Sequence, residues 1–99
     1  MRISDFQKMM KEIYYRRDKK RGIEKTYMWL VEEVGELGRA ILKGRNDQIE
    51  EEAADVLAWL ASLCNLLGVD LEKAALKKYP GYCPYCKSKP CTCSSECRK

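Results

Sequence analysis

Apolar residues recur at helical spacing along four stretches of the chain, and no stretch alternates apolar and polar residues as a strand would. The pattern predicts four helices, at about residues 5–20, 24–43, 48–67 and 71–79. Sequences typical of a capping box begin at Ser4 and Asp47, and Asp70 is placed to cap the fourth helix. We therefore expect an all-α protein, an antiparallel bundle of about four helices.

The helical periodicity ends at Pro80, and the residues that follow are rich in Cys, Lys, Ser and Pro. We predict a helical domain over residues 1–80 and a short, zinc-knuckle-like tail over residues 81–99. A chain of 99 residues buries only a small core, so we expect it to need a partner subunit or a metal. No apolar run is long enough for a membrane span, and charged residues interrupt the N-terminal stretch. We expect a cytoplasmic protein without a membrane partner.

The net charge of +4 is unevenly distributed. Residues 1–28 carry nine basic and four acidic side chains, whereas residues 29–55 carry three basic and eight acidic ones. The net positive charge of the whole chain is therefore a weak indication of nucleic-acid binding, but its middle segment is acidic. The absence of histidine excludes imidazole acid–base catalysis and imidazole metal ligands.

The acids of the two central helices include two pairs with i,i+3 spacing, Glu33 with Glu36 and Glu52 with Asp55. On a helical wheel, each pair lies about 60° and 120° to the same side of an apolar stripe. The predicted core stripes are Leu30, Val34, Leu37 and Ile41 on one helix, and Ile49, Ala53, Val56, Leu60, Leu63 and Leu67 on the other. A solvated charged face is the alternative for any single acid, but such a face would lie opposite the core.

The short connection between these helices makes them antiparallel neighbours, so the four carboxylates can converge. Four carboxylates without a cation would repel one another. A hard divalent cation that prefers oxygen ligands, Mg²⁺ or Mn²⁺, removes this repulsion. Helical di-iron sites use histidine as well, which the chain lacks.

These acids lie in two segments, residues 32–37 (EEVGEL) and 52–57 (EAADVL). The segments resemble the E-E-x-x-E and E-x-x-D motifs of the MazG-like nucleotide pyrophosphohydrolases, and the resemblance covers about residues 24–79. It implies an all-α, Mg²⁺-dependent enzyme that hydrolyses a nucleoside triphosphate to the monophosphate and pyrophosphate. It also implies a homodimer or homotetramer, and a role in cleaning the nucleotide pool is one possibility.

The resemblance also implies roles for single residues. Glu33, Glu36, Glu52 and Asp55 would bind the metal, and Glu32 or Glu33 would accept the proton of the attacking water. Apart from the resemblance, a triphosphate needs cationic partners beyond the metal. The candidates are Lys73, Lys77 and Lys78 on the fourth helix and the Arg16–Arg21 cluster at the end of the first, for which a solvated helix end is the alternative. Trp59 is the candidate to stack on the base. Lys78 matches a late-helix lysine of the family, although the asparagine often found before it is missing. Packing in the core or between subunits is the alternative for the tryptophan.

Five cysteines lie close together in the tail. Cys83 and Cys86 form a C-x-x-C pair, and Cys91 and Cys93 are our first choice to complete a tetrahedral Zn²⁺ site, with Cys97 able to replace either. An iron–sulfur cluster, disulfides or a redox-active pair are the alternatives. Together with the basic first helix, the tail leaves open a second function: a non-catalytic zinc protein that binds nucleic acid or a partner protein.

Overall fold

The computed structural model describes residues 1–94, so Cys97 lies outside the described residues. Its helices are α1 (Ile3–Arg21), α2 (Ile23–Lys43), α3 (Asn46–Leu67) and α4 (Leu71–Lys78), and the described range contains no strand. The all-α prediction, with four helices and a cysteine-rich tail, is confirmed. Within the described range no single helix has the length and apolar character to cross a membrane, whereas α3 and α4, bent by 100°, meet those criteria as a pair.

The predicted helix ends are largely confirmed. Gly44 and Gly68 end α2 and α3 in the left-handed conformation, with φ angles of 65° and 69° that a residue with a Cβ adopts at a cost. Asp70 caps α4, because its Oδ1 accepts the N–H of Lys73 at 3.0 Å.

The two predicted capping boxes are wrong. Ser4 lies inside α1, and it is the Asp5 carboxylate that accepts the N–H of Arg2 at 2.9 Å. Asp47 lies inside α3, and Arg45 at the N-cap position makes no side-chain cap. In both cases the helix begins two residues before the position that the motif indicates, which is within the usual uncertainty of a helix end.

The α2–α3 hairpin is the centre of the fold, with α1 packed mainly on α3 and α4 against α1. The core is small and partly polar. Its buried residues are Gln7, Met10, Asp18, Thr26, Ala40, Ala61, Ser62, Leu63 and Cys64. Most of these residues have short side chains, so the helices approach closely but bury little apolar volume.

A polar network fixes the position of α4. The Gln7 side-chain amide donates to Asn65 Oδ1 at 3.1 Å and to the Val69 carbonyl at 2.7 Å, and it accepts the N–H of Leu71 at 2.9 Å. Asn65 in turn donates to the Gln7 carbonyl at 3.1 Å. The buried amide is therefore satisfied on both sides, and it joins α1 to the turn between α3 and α4.

The predicted core stripe of α2 is only partly buried in the single chain, where Leu30 and Leu37 are half-buried. Val34 is 50% and Ile41 is 56% exposed, whereas Thr26 and Ala40 are the buried residues of this helix. The reason is that α1 and α3 both lie on the flank of α2 that carries Thr26 and Ala40. Among residues 1–94, no segment covers the side of the stripe that carries Val34 and Ile41. The same holds at the end of the α3 stripe, where Leu63 is buried but Leu67 is exposed.

Candidate functional site

Three of the four predicted metal ligands lie together between α2 and α3. Glu33, Glu52 and Asp55 each offer one carboxylate oxygen, and these oxygens lie within 4.8 Å of one another. Glu36, one turn along α2, is not in this group, and its Oε1 lies 3.9 Å from Arg39 Nη1. We call Glu33, Glu52 and Asp55 the acidic group.

The acidic group has electrostatics that a divalent cation would stabilise. Glu52 Oε2 is buried and has no hydrogen-bond partner. Burial raises the pKa of Glu33, and so do a hydrogen bond with Glu52 and the negative charges of Asp55, Glu52 and Glu36. A buried carboxylate oxygen without a partner is costly, and a hard divalent cation would satisfy it. The residues present therefore fit Mg²⁺ or Mn²⁺.

Glu32 is exposed and lies apart from the acidic group. It lines a separate surface depression with Lys25, Met28 and Trp29. Of the two acids that were predicted as the general base, only Glu33 lies within the acidic group.

A cleft of about 290 Å³ adjoins the acidic group, because Asp55 belongs to both. The cleft lies between α1 and α3 and is lined by Met10, Tyr14, Arg17, Asp18, Arg21, Asp55, Ala58, Trp59 and Ser62. Arg17 and Arg21 come from the basic end of α1. Guanidinium groups on one side and carboxylates on the other form a site suited to a metal-bound polyphosphate.

The cleft is lined by Trp59 and by Arg21 of the basic cluster, which were both candidates, and by Asp18, which was not. Trp59 stacks on Trp29 with ring centroids 5.8 Å apart, and the guanidinium carbon of Arg21 lies 4.6 Å from the Trp59 ring centroid. Arg21 also pairs with Asp18 at 2.8 Å. Asp18 is 2% exposed, and its Oδ2 has no hydrogen-bond partner. Its only sequence signal is that it is the single acid among five basic residues between positions 16 and 21.

The structure does not bring Lys77 and Lys78 to the acidic group. Both are exposed at the end of α4, and Lys78 Nζ lies 5.5 Å from the Tyr85 ring centroid. Contact with Tyr85 raises the pKa of Lys78. Because α4 follows the C-terminal end of α3, about 18 Å of helix separates Asp55 from the point where α4 is attached.

The tail cysteines form a second group. The Sγ atoms of Cys83, Cys86, Cys91 and Cys93 lie within 4.8 Å of one another, and we call these four the cysteine group. A hydrogen bond from the backbone N–H of Thr92 is the largest of the effects that lower the pKa of Cys86 to about 5. A thiolate is the form of cysteine that binds metal.

A family model described as the MazG nucleotide pyrophosphohydrolase domain matches residues 21–87. The match contains α2, α3, α4, the acidic group, and Cys83 and Cys86 of the cysteine group. It therefore reaches further towards the C-terminus than the predicted resemblance over residues 24–79. A search of curated proteins found no match. Since the family model covers more than half of the chain, this protein belongs to the MazG nucleotide pyrophosphohydrolase family.

Proposed function

We propose that the protein is a Mg²⁺-dependent nucleoside triphosphate pyrophosphohydrolase that acts on the nucleotide pool of the cytoplasm. It would convert a nucleoside triphosphate and water to the monophosphate and pyrophosphate. The observation that carries the proposal is the shared position of Asp55, which belongs to the acidic group and also lines a cleft with two arginines. Family membership supports the same reaction class.

The acidic group would hold the metal. Glu33, Glu52 and Asp55 supply the oxygen ligands, and we add Glu36 because its charge acts on Glu33 from one turn away. When bound, the cation supplies Lewis-acid stabilisation of the negative charge that develops on the phosphate oxygens. The carboxylates of the chain hold that charge-neutralising group in place through two rigid helices.

A carboxylate of α2 would take the proton from the attacking water. Glu33 is our first choice over Glu32, because Glu33 lies in the acidic group and Glu32 does not. Separate Glu→Gln changes at Glu32 and Glu33 distinguish them. Only the change that removes the general base should reduce turnover while substrate binding is retained.

The cleft would bind the nucleotide. Arg17 and Arg21 are placed to donate to phosphate oxygens, and the indole of Trp59 forms an apolar wall for the base or sugar. Within one chain, α4 lies beyond the far end of α3. Lys77 and Lys78 can therefore contact this substrate only if a second subunit brings them to it.

We propose that a second copy of the chain covers the exposed apolar face of α2. This face consists of Ile23, Tyr27, Val31, Val34 and Ile41, all exposed in the single chain. Gly35 and Gly38 lie along the same helix, and an added Cβ at either would meet no atom within 4 Å. A Val34→Glu change should dissociate the oligomer in light-scattering measurements, whereas Lys43→Glu on the opposite side of α2 should not. The same measurement distinguishes a dimer from a tetramer.

The proposed activity is tested by pyrophosphate release from a panel of ribo- and deoxyribonucleoside triphosphates, including modified bases, with and without Mg²⁺. We expect Mg²⁺-dependent release from at least one member and a monophosphate as the second product. Release of inorganic phosphate instead would contradict cleavage at the α-phosphorus. No release from any member would contradict the proposal, and salt-sensitive binding to nucleic acid would then favour the non-catalytic alternative.

A further inference from the structure

We propose that Cys83, Cys86, Cys91 and Cys93 bind one Zn²⁺ ion in a closed tetrahedral site that orders the tail. The site is separate from the acidic group, and it does not depend on the proposed catalytic activity. Its role is structural, because all four coordination positions come from the protein and none remains for a substrate or water.

The sulfur–sulfur distances match a single zinc ion. A tetrahedron with Zn–S bonds of about 2.3 Å has edges of about 3.8 Å. Cys83 Sγ lies 3.6 Å from Cys93 Sγ, and Cys86 Sγ lies 3.9 Å from Cys91 Sγ. Disulfides between the same partners would need about 2.05 Å. An iron–sulfur cluster would hold its cysteines farther apart, since several metal atoms would lie between them.

The first ligand pair is held by a tight turn. The N–H of Lys87 donates to the Cys83 carbonyl at 2.7 Å, and the N–H of Cys83 donates to the Ser88 carbonyl at 2.9 Å. Lys87 has a φ angle of 61°, in the left-handed region that lets the chain reverse. The turn places Cys83 and Cys86 side by side, as one ligand pair of the proposed site.

Backbone N–H groups point at the sulfurs of the cysteine group. Thr92 N lies 3.3 Å from Cys86 Sγ, and Cys93 N lies 3.3 Å from Cys91 Sγ. Such N–H···S hydrogen bonds stabilise the negative charge of thiolate ligands around a metal. Four thiolates around Zn²⁺ carry a net charge of −2, and the nearby side chains of Lys87 and Lys89 are of the opposite sign.

The tail needs such a site, because it has little else to order it. Between Tyr79 and Ser94 the described chain has no helix or strand, and none of these residues is fully buried. The metal would supply the folding free energy of this segment. Binding changes no oxidation state: each ligand that is still a thiol loses its proton to solvent as its sulfur bonds to Zn²⁺. Through the contact of Tyr85 with Lys78, the ordered tail would rest on the end of α4.

The test uses the full chain purified under reducing conditions. We expect about one zinc per chain by elemental analysis, and the absorption spectrum of a four-thiolate site when Co²⁺ replaces zinc. Cys→Ser changes at each of the four positions should weaken metal binding by more than about 100-fold, beyond the loss typical of a residue that only supports a ligand. Circular dichroism should show unchanged helix content, so that loss of metal is not a consequence of unfolding.

Two matched variants serve as controls. Cys97→Ser and Cys64→Ala should both keep zinc. Cys97 is the tail cysteine that the proposed site does not use, and Cys64 is buried in α3 away from the cysteine group. Three results would overturn the proposal: a chain without metal whose tail cysteines form disulfides, the visible absorption of an iron–sulfur cluster, or loss of zinc in Cys97→Ser while Cys91→Ser or Cys93→Ser retains it. None of these readouts involves pyrophosphate release, so the two proposals fail independently.

Discussion

The acidic group on α2 and α3 and the cysteine group after α4 both gather negatively charged ligands, but on different scaffolds. The carboxylates project from two long helices, and Glu52 Oε2 remains without a partner beside an open cleft. The sulfurs project from an irregular segment in which backbone N–H groups already contact Cys86 and Cys91. Catalytic metal sites keep a position open, whereas structural sites are closed. If both proposals hold, the acidic group would exchange ligands and the cysteine group would retain its metal.

The largest expected effect comes from the acidic group. Glu52→Gln keeps the size of the side chain but removes the charge, and we expect turnover to fall by more than about 100-fold, or about 2.7 kcal/mol. Zinc content should not change. The matched control is Glu51→Gln, the adjacent exposed acid, which should keep full activity. A loss of zinc in Glu52→Gln would show that the two groups are not separate.

The cleft should give an intermediate effect. Arg17→Gln removes one charge-assisted hydrogen bond to phosphate, so we expect KM to rise by about tenfold, or about 1.4 kcal/mol. The value of kcat should change little, because the metal ligands are intact. Arg16→Gln is the control, since Arg16 is exposed and does not line the cleft. Equal effects of the two changes would contradict a specific contact.

The helix that links the two regions should give a smaller effect. Asp70→Ala removes the cap of α4 and should lower the free energy of unfolding by about 1 kcal/mol, which lowers Tm by about 4–8 °C in a domain of this size. Asp47→Ala should cost less, because Asp47 lies inside α3 and makes no cap. Thermal unfolding followed by circular dichroism checks both. A larger loss for Asp47→Ala would show that the sequence motif was right about the start of α3.

The smallest expected effect on catalysis comes from the cysteine group. Cys86→Ser should abolish zinc binding and yet leave kcat/KM within about threefold of the original, or about 0.6 kcal/mol. The reason is that none of the cysteine group lines the cleft or joins the acidic group. Steady-state kinetics on the best substrate of the panel provides the measurement. A loss greater than tenfold would make the tail part of the active site.

The sequence predicted the features that depend on fixed helical spacing. The i,i+3 register of Glu52 and Asp55 follows from helix geometry alone, so their shared face could be foreseen. The buried face of α2 could not be foreseen, because the positions of α1 and α3 decide whether Val34 or Thr26 faces inward. Asp18 was missed for a related reason: its burial depends on the packing of α1 on α3, and its neighbours in sequence are basic and mostly exposed.

The sequence indicated that tail cysteines form a metal site, but it did not decide which four of them belong to it. The spacing of Cys83 and Cys86 indicates a ligand pair, yet five cysteines were available for four positions. The structure brings Cys91 and Cys93 to that pair. The N–H groups that contact the sulfurs carry no sequence signal, because every residue except proline has one.

The exposed stripe of Val34 and Ile41 on α2 has a consequence for how the protein responds to dilution. If a second copy covers this stripe, part of each chain's stability comes from association, and mass action makes the melting temperature rise with protein concentration. A chain of this size that buries few large apolar residues would depend strongly on that contribution. Unfolding and dissociation would then be a single event, and newly made chains would complete their fold only on meeting one another.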